Sequence, residues 1–222
     1  MAAALGFDVY GTLVDPLGIA AELQRFVGDD ADRIAQLWRI TQLEYSWRRS
    51  LMGLYAPFSA CTAQALDFAA RSFGHRLAPD ATASLLERYR QLPPFPDAAA
   101  GLERIRRAGH RMVAFSNGEA AVVRAVLGHA ALLPLFEDVV SADEIQIYKP
   151  APAVYRHLTA RLATAAADTW LVSSNPFDII GARAAGLRTA WVRRNPRALL
   201  DPWGGEPDLV VADLIELSAR LL

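Results

Sequence analysis

The stretch Leu5-Gly6-Phe7-Asp8-Val9-Tyr10-Gly11-Thr12-Leu13-Val14-Asp15 decides how the chain is read. An apolar run leads into an acid, and a tight Gly-Thr turn follows at once. In an α/β protein this pattern is the first strand of a parallel sheet. Asp8 then stands at the strand's carboxyl end, where open sheets of this kind bind ligands. A buried carboxylate at a strand tip is costly unless it is paired or used. Asp8 is therefore read as a nucleophile that the rest of the chain aims and desolvates.

Beyond Asp15-Pro16 the character changes, and from about Leu17 to Arg90 the apolar spacing is helical. Ile34, Leu37, Trp38, Thr41, Leu43 and Tyr45 form one such series, running towards Trp47 and Leu51. Gly53 and Pro57 break that helix, a second spans 63–73, and Pro79-Asp80 opens a third. Their aromatic stripes read as the packing of a helical module inserted after the first strand. Leu92-Pro93-Pro94-Phe95-Pro96-Asp97 is the return linker. The rhythm after it is βαβ, with strands at 111–116, 138–141, 170–172, 189–192 and 209–211. Helices are expected at 98–108, 120–127, 154–162 and 179–185, with another closing the chain. The fold class is α/β, a doubly wound parallel sheet in a Rossmann-like core formed by 1–15 plus 95–222, with 16–94 as a helical cap. The polar stretch 193–207 is expected to be a surface loop.

Composition narrows the function. The chain has 222 residues, 53% of them hydrophobic, and a formal net charge of -1. That balance gives no footprint for nucleic acid or an anionic membrane. Cys61 is the lone cysteine, so no intrachain disulfide forms, as suits a reducing compartment. No basic-then-apolar leader and no bilayer-spanning run is present, so the expectation is a soluble cytoplasmic protein. Of the 23 basic residues only Lys149 is a lysine; every other one is arginine. A position that keeps an ammonium against such a bias needs a compact point charge.

Four clusters fall at strand ends: Asp8 with Thr12, Ser116 with Asn117, Lys149, and Ser173 to Asp178. Alone, Ser116-Asn117-Gly118 reads as a turn, Asp178 as a residue at a helix start, and Lys149-Pro150 as a solvated loop. In a parallel sheet all four converge on one edge. Lys149 would hold Asp8 ionised, Thr12 would orient its oxygens, and Ser116 and Asn117 would donate to an anionic substrate. Asp178 would serve as a base or position a water. The four histidines (His75, His110, His129, His157) lie away from these ends, and no Gly-x-Ser-x-Gly elbow exists, so a Ser-His-Asp hydrolase is unsupported.

The pattern resembles the haloacid dehalogenase superfamily over the whole chain. Asp8 to Thr12 matches its first motif, Ser116 its second, Lys149 its third and Ser173 to Asp178 its fourth. Most of that superfamily are magnesium-dependent phosphatases, with a second aspartate two residues after the nucleophile and another in the fourth motif. Here those positions hold Tyr10 and Ser174. These departures resemble the metal-free L-2-haloacid dehalogenase branch, as do Leu37-Trp38-Arg39 and Gln42-Leu43-Glu44-Tyr45-Ser46-Trp47 in the cap.

The resemblance implies hydrolysis of short L-2-haloacids to 2-hydroxy acids with inversion, through an ester on Asp8, without metal or cofactor. It implies that Arg39 meets the halide, and that Tyr155, Ser173 and Asn175 join Asp8, Thr12, Ser116, Lys149 and Asp178 in catalysis. Substrate contacts would come from Val9, Tyr10, Arg39, Ser116 and Asn117, with Phe58 and Phe177 as the apolar wall. The implied partners are the 2-haloacid, the halide and a second copy of the chain. An atypical phosphatase is the alternative, and a non-enzymatic relative that binds protein through its cap is a third reading.

Overall fold

The computed structural model describes residues 2–221. Among them six strands form one sheet: β1 (Ala4–Phe7), β2 (Arg111–Ser116), β3 (Asp138–Ser141), β4 (Thr169–Ser173), β5 (Arg188–Val192) and β6 (Leu209–Val211). Every neighbouring pair is parallel, and the order is β3-β2-β1-β4-β5-β6. β1 is therefore central, and the order reverses between β1 and β4. In sheets of this type the crevice at that reversal is where ligands sit. Asp8 and the loop after β4 flank it.

The helices are α1 (Ala20–Val27), α2 (Ala31–Met52), α3 (Phe58–Ser72), α4 (Pro79–Arg88), α5 (Ala98–Arg107), α6 (Ala120–His129), α7 (Pro152–Leu162), α8 (Pro176–Ala184) and α9 (Leu214–Leu221). Alternate strand residues part to the two faces of the sheet. Leu5, Phe7, Ala114 and Val172 pack with Leu102, Val126 and Leu217 of α5, α6 and α9. Val113, Phe115, Val140 and Leu171 pack with Leu158 and Ala182 of α7 and α8. Burial on both faces is why these strands read as nearly unbroken apolar runs.

The first four helices stand between β1 and α5. The chain leaves through residues 13–15 and returns through 93–95, and the two segments are tied together. Asp15 donates its amide to the Pro93 carbonyl at 3.0 Å, and Phe95 donates to Leu13 at 2.9 Å.

Three helices begin earlier than expected: α3 at Phe58, α7 at Pro152 and α8 at Pro176. In α7 and α8 a proline occupies the first turn, and Pro57 is the extended residue before α3. These prolines start helices because the first turn leaves amides unpaired anyway and φ is preset. One consequence is functional: Asp178 lies within the first turn of α8 rather than ahead of it.

α5 and α9 pack backbone to side chain at Gly101. A Cβ there would stand 2.5 Å from the Leu214 Cβ and 2.7 Å from its carbonyl oxygen. Gly101→Ala gains helix propensity of about 1 kcal/mol, but overpacking against backbone costs about 1–3 kcal/mol and pushes the helices apart. A net loss of stability is expected, read as a lower urea midpoint at unchanged slope.

Candidate active site

The site is built from the end of β1. The Asp8 amide donates to the Val172 carbonyl at 2.9 Å, which fixes the acid against β4. The Val9 carbonyl then accepts the amides of Thr12, Leu13 and Val14 at 3.2, 2.8 and 3.1 Å. Such a tight turn needs a left-handed residue, and Gly11 supplies it at φ +90°. The turn brings Thr12 back, and its hydroxyl donates to Asp8 Oδ2 at 2.8 Å. Asn175 Nδ2 donates to the same oxygen at 2.8 Å and to the Tyr10 carbonyl at 3.1 Å. The other oxygen, Oδ1, accepts from Lys149 Nζ at 3.1 Å.

Lys149 is 1% exposed. Besides Asp8, its ammonium donates to the Phe115 carbonyl at 2.9 Å and to Asp178 Oδ2 at 2.9 Å. Three protons meet three acceptors in three directions, which a planar guanidinium cannot reproduce. The Lys149 amide also donates to Asn117 Oδ1 at 2.9 Å, tying the loop after β3 to the end of β2. Asp178 is fully buried and accepts the Tyr155 hydroxyl on Oδ1 at 2.8 Å. Burial pushes the Asp178 carboxyl up, with the Lys149 charge opposing. Burial, and next the adjacent Asp178, push the Tyr155 phenol well up, so it stays a neutral donor.

The opposite wall comes from the cap. Arg39 on α2 donates through Nη2 to the Tyr10 carbonyl at 3.2 Å and through Nη1 to Gln42 Oε1 at 2.9 Å. Buried Gln42 is itself held, donating to Thr62 Oγ1 at 2.7 Å and accepting from the Tyr89 hydroxyl at 3.2 Å. Tyr10 stacks on Tyr89, with ring centroids 5.8 Å apart. Burial pushes the Tyr10 phenol up, so it is a poor acid.

Asp8, Tyr10, Arg39, Leu43, Phe58, Ser116, Asn117, Lys149 and Phe177 enclose one small cavity. The space a water's centre can reach there is about 10 Å³, room for one water. The amides of Val9 and Tyr10 enter no hydrogen bond among the described residues. The Ser116 hydroxyl accepts the Gly118 amide at 3.1 Å, leaving its own proton to donate. Tyr155 bonds Asp178 rather than Asp8, and Ser173 is likewise one step removed. Its hydroxyl accepts the Asn175 amide at 3.1 Å and forms no bond to Asp8, so it acts on Asn175. None of the histidines lines the cavity.

Four contributions to the site were not assigned from the sequence. The Ser174 amide donates to Thr12 Oγ1 at 2.8 Å, and Leu43 lines the cavity. Gln42 braces Arg39. Arg194, within the stretch expected to be a surface loop, instead reaches the Thr12 carbonyl through Nε at 3.1 Å. This corrects the surface-loop reading for Arg194. Its guanidinium pairs with Asp97, which anchors it inward.

A hard divalent cation wants about six oxygen ligands. The donor set here does not fit one. Both carboxylates, Asp8 and Asp178, already bind the Lys149 ammonium. The position that carries an aspartate in magnesium enzymes of the superfamily is Ser174, whose hydroxyl is buried without a partner among the described residues.

A central parallel sheet, an acid at the reversal point and a closed helical cap define a hydrolase class. Residues 2–186 match the model of the haloacid dehalogenase-like hydrolases, and the chain belongs to that family. Within it the chain falls in the (S)-2-haloacid dehalogenase branch. (S)-2-haloacid dehalogenase 2 of Pseudomonas sp. (strain CBS-3) is 36% identical over 215 residues, 97% of this chain and 93% of the relative. Haloacetate dehalogenase H-2 of Moraxella sp. (strain B) is 33% identical over 208 residues, 94% of this chain and 92% of the relative. The L-2-haloacid dehalogenase of Xanthobacter autotrophicus, solved with chloropropionic acid covalently bound, superposes with a TM-score of 0.94 at 31% identity, covering 100% of this chain and 98% of that one.

Lys149→Arg keeps the charge and loses the three-way fit. Dehalogenation is expected to fall on the order of 100-fold or more, as when one preorganised donor is lost, while circular dichroism stays native. Near-normal turnover would contradict the role given to the compact ammonium.

Proposed function

We propose that this enzyme hydrolyses short (S)-2-haloalkanoic acids to (R)-2-hydroxy acids through an ester on Asp8, without a metal. The supporting observation is the asymmetry of the Asp8 carboxylate. Among the described residues, Oδ2 accepts two donors, Thr12 and Asn175, whereas Oδ1 accepts only Lys149. Oδ1 therefore keeps the freer lone pair and is the attacking atom. It displaces halide from C2 from the back, and the halide leaves with the bonding pair. A carboxylate stripped of water in a closed site is competent for this step.

Arg39 faces the departing halide, where negative charge develops. The substrate carboxylate lies against Ser116, Asn117 and the free amides of Val9 and Tyr10. Phe58, Leu43 and Phe177 pack on its alkyl part. In the ester, Oδ2 is the carbonyl oxygen, and Thr12 and Asn175 already point at it. These two donors then receive the oxyanion when water attacks Cγ. Asp178, held by Lys149 and Tyr155, takes the water's proton and returns it to Oδ1 as the Cγ–Oδ1 bond breaks, which frees the hydroxy acid.

A cavity for one water is too small for a 2-halopropionate, so residues 16–94 must swing open as a cap. The paired segments 13–15 and 93–95 are the proposed hinge. The superfamily's magnesium chemistry is disfavoured by the donor set, and Tyr10 replaces the leaving-group acid of its phosphatases. Self-association into a homodimer is proposed through the cap, where Ile40, Leu51, Met52 and Phe68 stand exposed on α2 and α3. The cytoplasm is the proposed compartment, as the lone cysteine suits. No helix of the described residues is long and apolar enough to cross a membrane.

Purified enzyme in excess chelator is expected to release chloride from (S)-2-chloropropionate, to form (R)-lactate, and to leave the (R) substrate untouched. Asp8→Asn should lower chloride release on the order of 10³-fold or more, the scale set by losing a covalent nucleophile. Activity that vanishes with chelator and returns with magnesium, alongside phosphate-ester hydrolysis, would favour the atypical phosphatase instead.

A further inference from the structure

Arg194 follows β5 and does not line the cavity, yet its guanidinium is almost fully engaged. Nε donates to the Thr12 carbonyl at 3.1 Å, and Nη2 donates to the same oxygen. Nη1 and Nη2 donate to the two oxygens of Asp97 at 2.8 and 3.2 Å. Asp97 also accepts the Leu214 amide at 2.8 Å. The guanidinium carbon stands 3.8 Å from the Phe95 ring centroid. The two charged side chains are only 16% and 12% exposed, so this is a partly buried fork rather than a solvated surface pair.

The partners of this fork have a common meaning. Thr12 carries the hydroxyl that orients Asp8. Phe95 and Asp97 lie on the returning chain beside the tied segments at 13–15 and 93–95. One guanidinium thus spans the nucleophile turn and the root of the cap. The Thr12 side chain is constrained on one side by the Ser174 amide and its main chain on the other by Arg194.

We propose that Arg194 is a positioning residue for the nucleophile: it clamps the Thr12 carbonyl to Asp97 and so holds the Thr12 hydroxyl on Asp8. It touches no reacting atom. Its effect is geometric, and displacement of a reacting group by 1 Å costs about 100-fold in rate. The proposal rests on Asp8 being the nucleophile, which an ester adduct on the Asp8 peptide of acid-quenched wild-type enzyme tests separately.

The test is a double-mutant cycle of Arg194→Met with Thr12→Val, with kcat, KM and melting temperature measured for each variant. In the wild-type background Arg194→Met is expected to lower kcat about tenfold or more, with KM within about threefold, since a barrier rise of one decade needs only a small misalignment. In the Thr12→Val background the same change should cost less than about twofold, because its route to Asp8 is gone. Arg194→Lys should recover only part of the loss, since one ammonium cannot bridge both partners. If Arg194→Met does not fold, Asp97→Asn, which keeps the shape and weakens the fork, takes its place in the cycle. Equal losses in both backgrounds, or a lower melting temperature with unchanged kcat, would overturn the proposal. Absence of the wild-type adduct would instead overturn the nucleophile reading beneath it.

Discussion

The Lys149 ammonium, buried between Asp8 and Asp178, is the interaction on which the rest of the structure depends. A buried carboxylate without partners is prohibitively costly, and two side by side are worse. One compact cation with three protons meets both acids and the Phe115 carbonyl, which leaves none of its donors unpaired. Coulomb attraction alone does not repay the desolvation of such a group. The surrounding hydrogen bonds from Thr12, Asn175 and Tyr155 are therefore part of the same balance. Removing one member leaves another charged group exposed to an apolar interior.

The fold serves this cluster by topology. Asp8 lies 141 residues before Lys149, and Asp178 lies 29 after it, but a parallel sheet delivers every strand to the same edge. β1 lies between β2 and β4, so the acid at its end has Ser116 and Asn117 on one side and Asn175 with Asp178 on the other. The cap adds the remaining charge. Arg39 is held over the cavity by Gln42, which is held in turn by Thr62 and Tyr89. Three linked side chains from two cap helices and the segment after α4 thus aim one guanidinium. The cavity they close holds about one water, and dry closure is what strengthens each of these contacts.

Most of this was legible in the sequence for physical reasons. Strands buried on both faces are written as apolar runs, and their ends are marked by the polar letters that follow. Lys149 stood out because the chain otherwise uses arginine, and Tyr10 and Ser174 stood out as missing acids. What could not be read was direction across space. The same arginine bias that exposed Lys149 hid Arg194, one guanidinium among many in a Pro- and Gly-rich stretch. Ser173 matched its motif but turns its hydroxyl to the Asn175 amide, a choice set by the turn after β4. Pro57 read as a break and proved to stand directly before a helix, and Pro152 and Pro176 lay outside the helices expected at 154 and 179 but begin them, since the letter is the same at either boundary.

The central claim is that Asp8 Oδ1 itself forms the new carbon–oxygen bond. Its most direct test is a single turnover in H₂¹⁸O with enzyme in excess over (S)-2-chloropropionate, followed by mass spectrometry of the lactate. The hydroxyl of the product should carry ¹⁶O from the enzyme, and the ¹⁸O should be found in the peptide containing Asp8. Lactate labelled with ¹⁸O in the first turnover, with Asp8 unlabelled, would mean that water attacks C2 directly and would contradict the account.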